Sequence, residues 1–206
     1  MKSEIVLIRH GITEGNERRM YYGSTNVSLS PRGKRLLEKQ RDEGLYPTSE
    51  NAQYFTTGML RTEQSLRIIY GEQEHRIIED LREMAFGEFE MRTYEELNSI
   101  PEYQRWITAE DLETAPPGGE SIRSFTQRIR RGFDELKVQN ELYMLKLRNQ
   151  QKEAMTICVC HGGVISGIMD YVWPGEYKNF FEWIPDPGHG YVLYVEDGSF
   201  TGYRRF

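Results

Sequence analysis

Ile5-Val6-Leu7-Ile8 is an apolar run with no polar break. A strand with one wet face would interrupt such a run at every second residue. This one therefore suits a strand covered on both faces, as in a parallel sheet. Met155-Thr156-Ile157-Cys158-Val159-Cys160 reads the same way. Residues 54–57 and 75–79 are shorter strand candidates. Residues 191–195 and 200–203, joined by Glu196-Asp197-Gly198-Ser199, read as a terminal hairpin. Helical signals fall between the strands. Ser30-Pro31 reads as N-cap and first helical residue, Leu36 and Leu37 supply an apolar face, and Gly44 supplies a stop. Residues 61–70 form a helix ending at Gly71, and residues 163–172 form another, stopped before Pro174. The longest helix starts near Ser121 and runs to about Leu147, with Ile122, Phe125, Ile129, Phe133 and Leu136 at the 3-and-4 spacing of a buried stripe. Strands alternating with helices imply an α/β fold of three layers: a mostly parallel central sheet with helices on both faces. At roughly 150 residues per domain, residues 1–206 are expected to form a single domain. Residues 88–119 contain Pro101, Pro116, Pro117, Gly118 and Gly119, and read as a helical insertion over the carboxyl edge of the sheet.

The exclusions are simple. The chain carries 32 acids against 26 Lys and Arg, which argues against nucleic acid or an anionic membrane as its partner. No apolar stretch approaches the ~18 residues of a membrane span. Met1-Lys2-Ser3-Glu4-Ile5 has no basic region followed by a long apolar run, so no leader is expected. Cys158 and Cys160 sit two apart in an apolar strand and read as buried, reduced thiols. These features lead to an expected cytoplasmic location.

Four polar clusters follow the strand candidates. Arg9-His10-Gly11 follows the first run, Arg61 follows residues 54–57, Glu83 follows the third strand, and His161-Gly162-Gly163 follows the last run. Ligands of open α/β sheets bind at the carboxyl ends of the strands. Two His, two Arg and one Glu can therefore converge while lying far apart in sequence. His75 and His189 have no such company and read as surface residues. The converging set suits phosphoryl transfer. A neutral imidazole can attack phosphorus and hold the phosphoryl group. Two guanidinium groups can clamp its oxygens, and a second imidazole can donate to them. A carboxylic acid can protonate the leaving oxygen and later deprotonate water. No metal or other cofactor is expected, because Arg and His supply the positive charge.

These residues also resemble a known family. Arg9-His10-Gly11-Ile12-Thr13-Glu14-Gly15-Asn16 is similar to the R-H-G-x-T-x-x-N signature of the histidine phosphatase superfamily, which includes phosphoglycerate mutases. Further matches are Gly23-Ser24-Thr25-Asn26-Val27-Ser28-Leu29-Ser30, Arg61-Thr62-Glu63-Gln64-Ser65, Leu81-Arg82-Glu83 with Phe86-Gly87-Glu88-Phe89-Glu90, and His161-Gly162-Gly163. The resemblance implies that His10 is the nucleophile and Glu83 the proton donor. It also implies that Arg9, Arg61 and His161 bind the phosphoryl group, joined by Asn16 and Thr13. The N–H of Gly162, at a helix start, is a further candidate donor. The chain departs from the family pattern at Tyr22, at Asn26 where Asp is usual, at Gly58-Met59, and at Met91, which replaces a common Gly. Tyr22 points toward the α-ribazole phosphatase branch.

Residues 88–119 bear on the choice between phosphatase and mutase. They hold Glu88, Glu90, Glu95, Glu96, Glu102, Glu110, Asp111 and Glu113 against Arg92 and Arg105. An acidic lid would repel the polyanion that a mutase must hold. The expected function is a metal-independent phosphatase acting on a small-molecule phosphate ester. The alternatives are a bisphosphoglycerate-dependent phosphoglycerate mutase and a catalytically silent phospho-ligand-binding protein. Phe89, Tyr94, Tyr103, Trp106 and Ile107 read first as the core of the insertion and second as contacts for a partly apolar leaving group.

Overall fold

The computed structural model describes residues 2–150 and 152–206. Its centre is a six-stranded sheet. In chain order the strands are β1 (Lys2–Arg9), β3 (Ala52–Thr56), β4 (His75–Ile77), β6 (Ala154–Cys160), β7 (Gly190–Glu196) and β8 (Ser199–Arg205). Their spatial order is β4-β3-β6-β1-β7-β8. The first four are mutually parallel, while β7 and β8 are antiparallel and form the expected hairpin. The two apolar runs pair directly, Val6 opposite Ile157 and Ile8 opposite Val159.

Alternation along β1 sends side chains to opposite layers. Ile5 and Leu7 pack with Cys158 and Cys160 under α6 (Ile122–Leu147) and α7 (Gly162–Val172). Val6 and Ile8 pack with Ile157 and Val159 under α2 (Pro31–Asp42) and α3 (Leu60–Tyr70). The fold is thus the expected α/β arrangement, with helices on both faces of a mostly parallel sheet. Both cysteines are buried free thiols. Among the described residues no helix is long and apolar enough to cross a membrane.

The local signals have the expected causes. Ser30 Oγ accepts the N–H of Gly33 with Pro31 at the first helical position, and Gly44, at φ +74°, follows the end of α2. Ser121 Oγ accepts the N–H of Ser124 at the start of α6. Phe125, Ile129, Phe133 and Leu136 of the apolar stripe are buried. Ile122 is not, because the first turn of α6 overhangs the site described below.

Residues 88–119 contain the short helices α4 (Tyr94–Leu97) and α5 (Pro101–Ile107). They also contain a strand that the sequence does not announce. β5 (Arg92–Thr93) pairs with β2 (Met20–Tyr21) in a two-stranded ribbon, tying the insertion to the segment after β1. Phe89, Leu97 and Tyr103 form a small core of their own, with Tyr21, Phe86 and Trp106 packed against it. Tyr94 remains exposed. Met91, standing where Gly is common, has φ +59°, a region that costs a side-chain-bearing residue about 1–2 kcal/mol.

Candidate active site

Each strand end delivers one polar group. Arg9 closes β1 and His10 follows it, with the His10 N–H bonded to Cys160 O of the neighbouring strand at 3.0 Å. Arg61 sits in the first turn of α3, directly after β3. His161 closes β6 as the N-cap of α7. Glu83 follows β4 after a single turn of 3₁₀ helix. His10, Arg61 and His161 are all buried. The His10 and His161 rings meet edge to face with centroids 5.3 Å apart.

His10 is fixed in one tautomer. Its Nδ1 lies 2.7 Å from Gly11 O, and a carbonyl can only accept, so the proton sits on Nδ1 and the lone pair on Nε2. Burial lowers the His10 pKa well below the usual imidazole value, and the Arg61 guanidinium lowers it further. Burial does the same to His161, again helped by Arg61. Both rings are therefore neutral near pH 7. Such groups cost the fold stability in acid. The unfolded chain binds protons near pH 6.5 and the folded chain only well below it, so their contribution is complete above about pH 6.5 and is lost as pH falls toward the depressed values. In an NMR titration of the free protein, neither imidazole is expected to protonate between pH 7.5 and 6.5. A midpoint at or above 6.5 for either ring would contradict this.

Arg61 is held from three sides. Its Nη2 donates to Gly23 O at 2.7 Å, its Nη1 to Thr25 O at 3.0 Å and its Nε to His161 Nδ1 at 3.3 Å. The guanidinium lies over the Tyr22 ring, 5.2 Å from its centroid. One N–H on each terminal nitrogen is left for a ligand. Residues 23–25 are in turn held by Glu90, whose carboxylate accepts the N–H groups of Gly23, Ser24 and Thr25 and of Phe86. Burial would raise the Glu90 carboxyl, but the Thr25 and Ser24 hydroxyls, with the Ser24 and Phe86 N–H groups, hold it below the usual carboxylate range. Arg9 donates from Nη1 to Pro185 O at 2.8 Å. Its Nε is buried without a partner, which is expensive unless a ligand supplies an acceptor.

Glu83 is tied at both oxygens. Oε2 accepts the N–H of Gly163 at the start of α7 at 2.9 Å, and Oε1 accepts the N–H of Met84 at 3.0 Å. A Cβ on Gly163 would stand 2.5 Å from Oε1, and one on Gly23 would stand 1.7 Å from Met84 O. These two glycines let the 83–84 segment approach. Arg128 on α6 braces the same segment through the carbonyls of Asp80, Arg82 and Glu83, and is itself paired with Glu120.

Arg9, His10, Asn16, Arg61, Glu83, Gly162 and Gly163 line one cleft of about 710 Å³. Asn16 Oδ1 accepts from Thr13 N–H, leaving its NH₂ group for a ligand. Thr13 is placed differently from Asn16. It is fully buried, stands outside the cleft wall, and caps helix α1 (Glu14–Glu17) while bonding Tyr22. It supports Asn16. His161 has both ring nitrogens engaged inside the protein, Nδ1 with Arg61 and Nε2 with Thr57 at 2.9 Å. Gly162 flanks Arg9, and the N–H that meets a carboxylate belongs to its neighbour Gly163. His75 and His189 are half-buried, not free surface groups. His75 pairs with Glu63, and His189 Nε2 lies 3.0 Å from Gln40 Nε2. Asn26 Oδ1 accepts the N–H of Leu60 at the start of α3, a loop contact that an Asp oxygen could also make. Of the acids in residues 88–119, Asp111 alone lines the cleft, and the others except Glu90 are exposed to solvent elsewhere. Sequence reasoning offered Trp106 and Ile107 as second-choice contacts and missed Phe180, Phe181 and Ile184, together with the supporting roles of Glu90, Glu120 and Arg128. Among the described residues no three His, Cys, Asp or Glu gather to hold a metal ion.

Residues 5–204 match the model of the histidine phosphatase superfamily, branch 1. The chain belongs to this superfamily. It is 28% identical over 136 residues to a 2,3-bisphosphoglycerate-dependent phosphoglycerate mutase of Rhizobium etli, a match covering 62% of this chain and 64% of the mutase. The chain thus spans less than two thirds of that relative's length. It is 27% identical over 165 residues to the adenosylcobalamin/alpha-ribazole phosphatase of Escherichia coli K-12, covering 78% of this chain and 74% of that one. In three dimensions it is similar to a solved E. coli chain provisionally described as an alpha-ribazole-5'-P phosphatase. The TM-score is 0.77 at 23% identity, over 99% of this chain and 95% of the other, a likeness of fold. The relatives that carry these descriptions include both a phosphatase and a mutase.

Proposed function

We propose that the chain is a phosphomonoesterase that hydrolyses small phosphate esters through a phosphohistidine on His10. The reading is carried by the His10 tautomer. With Nδ1–H committed to Gly11 O, the Nε2 lone pair is free to attack an ester phosphorus brought into the cleft that His10 lines. Nε2 attacks phosphorus as the P–O(ester) bond breaks, and Glu83 gives its proton to the departing oxygen. Water then attacks the phosphohistidine, Glu83 recovers a proton from it, and inorganic phosphate leaves with His10 neutral again. The buried Arg9 Nε and the spare N–H groups of Arg61 receive the phosphoryl oxygens, with Asn16 and the first turn of α7 beside them. His161 reaches the same oxygens by exchanging its bond to Thr57.

Hydrolysis is favoured over mutase chemistry because a mutase must also hold a second anionic group. Among the described residues lining the cleft, the cationic side chains are Arg9 and Arg61, both at the phosphoryl end. With a labelled phosphomonoester, the expected result is steady phosphate release and an acid-labile, alkali-stable phosphoenzyme. Sustained interconversion of 3- and 2-phosphoglycerate dependent on added bisphosphoglycerate would establish the mutase instead. Absence of turnover across a broad ester panel would leave the silent binding protein.

A further inference from the structure

Beyond the phosphoryl end, the cleft is walled by two separate apolar segments. One is the insertion, with Trp106 and Ile107, and the other is the turn holding Phe180, Phe181 and Ile184. The first wall is rigid. The Trp106 ring packs on Tyr21, Phe86, Phe89 and Tyr103 with centroids 5.7–6.0 Å apart. The second is held open to solvent. Asn179 Oδ1 accepts the N–H of Phe181 at 2.9 Å, and Ser166 Oγ donates to Phe180 O. These bonds fix the backbone and leave the Phe181 side chain at the mouth, 70% exposed. An aromatic ring that exposed, beside an apolar cleft, is an incomplete contact.

The polar groups in this outer part are already spent. The Tyr21 hydroxyl bonds Tyr103 at 2.7 Å, Thr126 donates to Ile122 O at 2.7 Å, and Thr114 Oγ1 donates to Asp111 Oδ2 at 2.8 Å. Asp111 Oδ1 accepts the N–H groups of Glu113 and Thr114. A polyol leaving group would lose its bonds to water here and gain few in return. An anionic one would meet the Asp111 carboxylate and no cation.

Resting on the phosphomonoesterase reading, we infer that the preferred substrates are monoesters of bulky, flat, apolar alcohols without a second anionic group. Phe181 and Ile107 then set the specificity. The esters compared must leave with similar ease, so three alkyl phosphates serve: 2-(2-naphthyl)ethyl phosphate, ethyl phosphate and glycerol 1-phosphate. The naphthyl ester is expected to exceed glycerol 1-phosphate in kcat/KM by about 100-fold. Phe181→Ser and Ile107→Ser lie at exposed positions and should each cut that preference about tenfold, the scale of one lost apolar contact in a pocket. Ethyl phosphate turnover should stay within twofold of wild type. Equal or better hydrolysis of glycerol 1-phosphate by the wild-type protein overturns the inference and leaves the phosphatase reading standing. So does a uniform loss on all three esters in both variants. If none of the three is hydrolysed and no phosphohistidine forms, the phosphatase reading falls and the inference with it.

Discussion

Replacing His10 with Asn is expected to lower kcat/KM for every phosphomonoester by at least about 10⁴-fold while the chain stays folded. The size follows from what remains. Removing a covalent nucleophile leaves only positioning and charge stabilisation, and in systems that act as a unit this residue costs as much as the whole set. His161, the nearest other imidazole, has Nδ1 taken up by the Arg61 N–H and so presents no free lone pair as a replacement. The wall offers Arg, Asn, Tyr and Glu near the phosphoryl end, and both cysteines are buried in the sheet. Burial pushes the Cys160 thiol well above its usual pKa, which withholds the thiolate. Asn suits the test because its side-chain NH₂ can still donate to Gly11 O, as Nδ1 does now. The smaller side chain at a buried position should cost about 1–2 kcal/mol of stability, read from the urea midpoint. A variant that is folded in the absence of urea and still releases phosphate at more than a hundredth of the wild-type rate would sink the phosphohistidine route.

The groups that converge on the cleft were legible because each lies within a few residues of a strand end, and strand ends in a parallel sheet point the same way. That holds for Arg9, His10, Arg61 and Glu83, and for His161, which packs against the His10 ring from inside the protein. What escaped lies where period and spacing carry no information. The ribbon of Met20–Tyr21 with Arg92–Thr93 is two residues per strand, too short to show alternation. Thr13 matched a family pattern, and its hydroxyl caps α1 and bonds Tyr22, local contacts that spacing does not announce. Ile122 kept the phase of the α6 stripe while sitting one turn beyond the core, so its apolar side chain faces the cleft. His189 gave no hint of Gln40, which is 149 residues away. The charge of residues 88–119 was readable but its direction was not. Glu90, counted among the repelling acids, is turned inward to hold the loop that holds Arg61. The residues around 180–184 show no helical or strand period, and their role emerges only from where α7 and β7 leave them.

Replacing Glu83 with Gln is expected to slow alkyl phosphate hydrolysis by about 10²–10⁴-fold, the usual worth of a general acid. For p-nitrophenyl phosphate the loss in kcat/KM, which reports steps up to formation of the phosphohistidine and not the later attack of water, should be far smaller, under about tenfold. The nitrophenolate departs as a stable anion and needs no proton, whereas an alkoxide cannot leave without one. The contrast also separates chemistry from structure. Gln can offer only one carbonyl oxygen where Glu83 accepts both Gly163 N–H and Met84 N–H. One of those donors must lose its partner or face the new NH₂ group, at about 1–3 kcal/mol. That disturbance also reaches the start of α7 and the Arg128 brace behind Glu83. It burdens both substrates alike, so it cancels in the ratio of their rates. A proton that is missing only when the leaving group needs it does not cancel. Equal losses on the alkyl and nitrophenyl esters would therefore assign Glu83 to holding the cleft together and would leave the acid to be sought elsewhere.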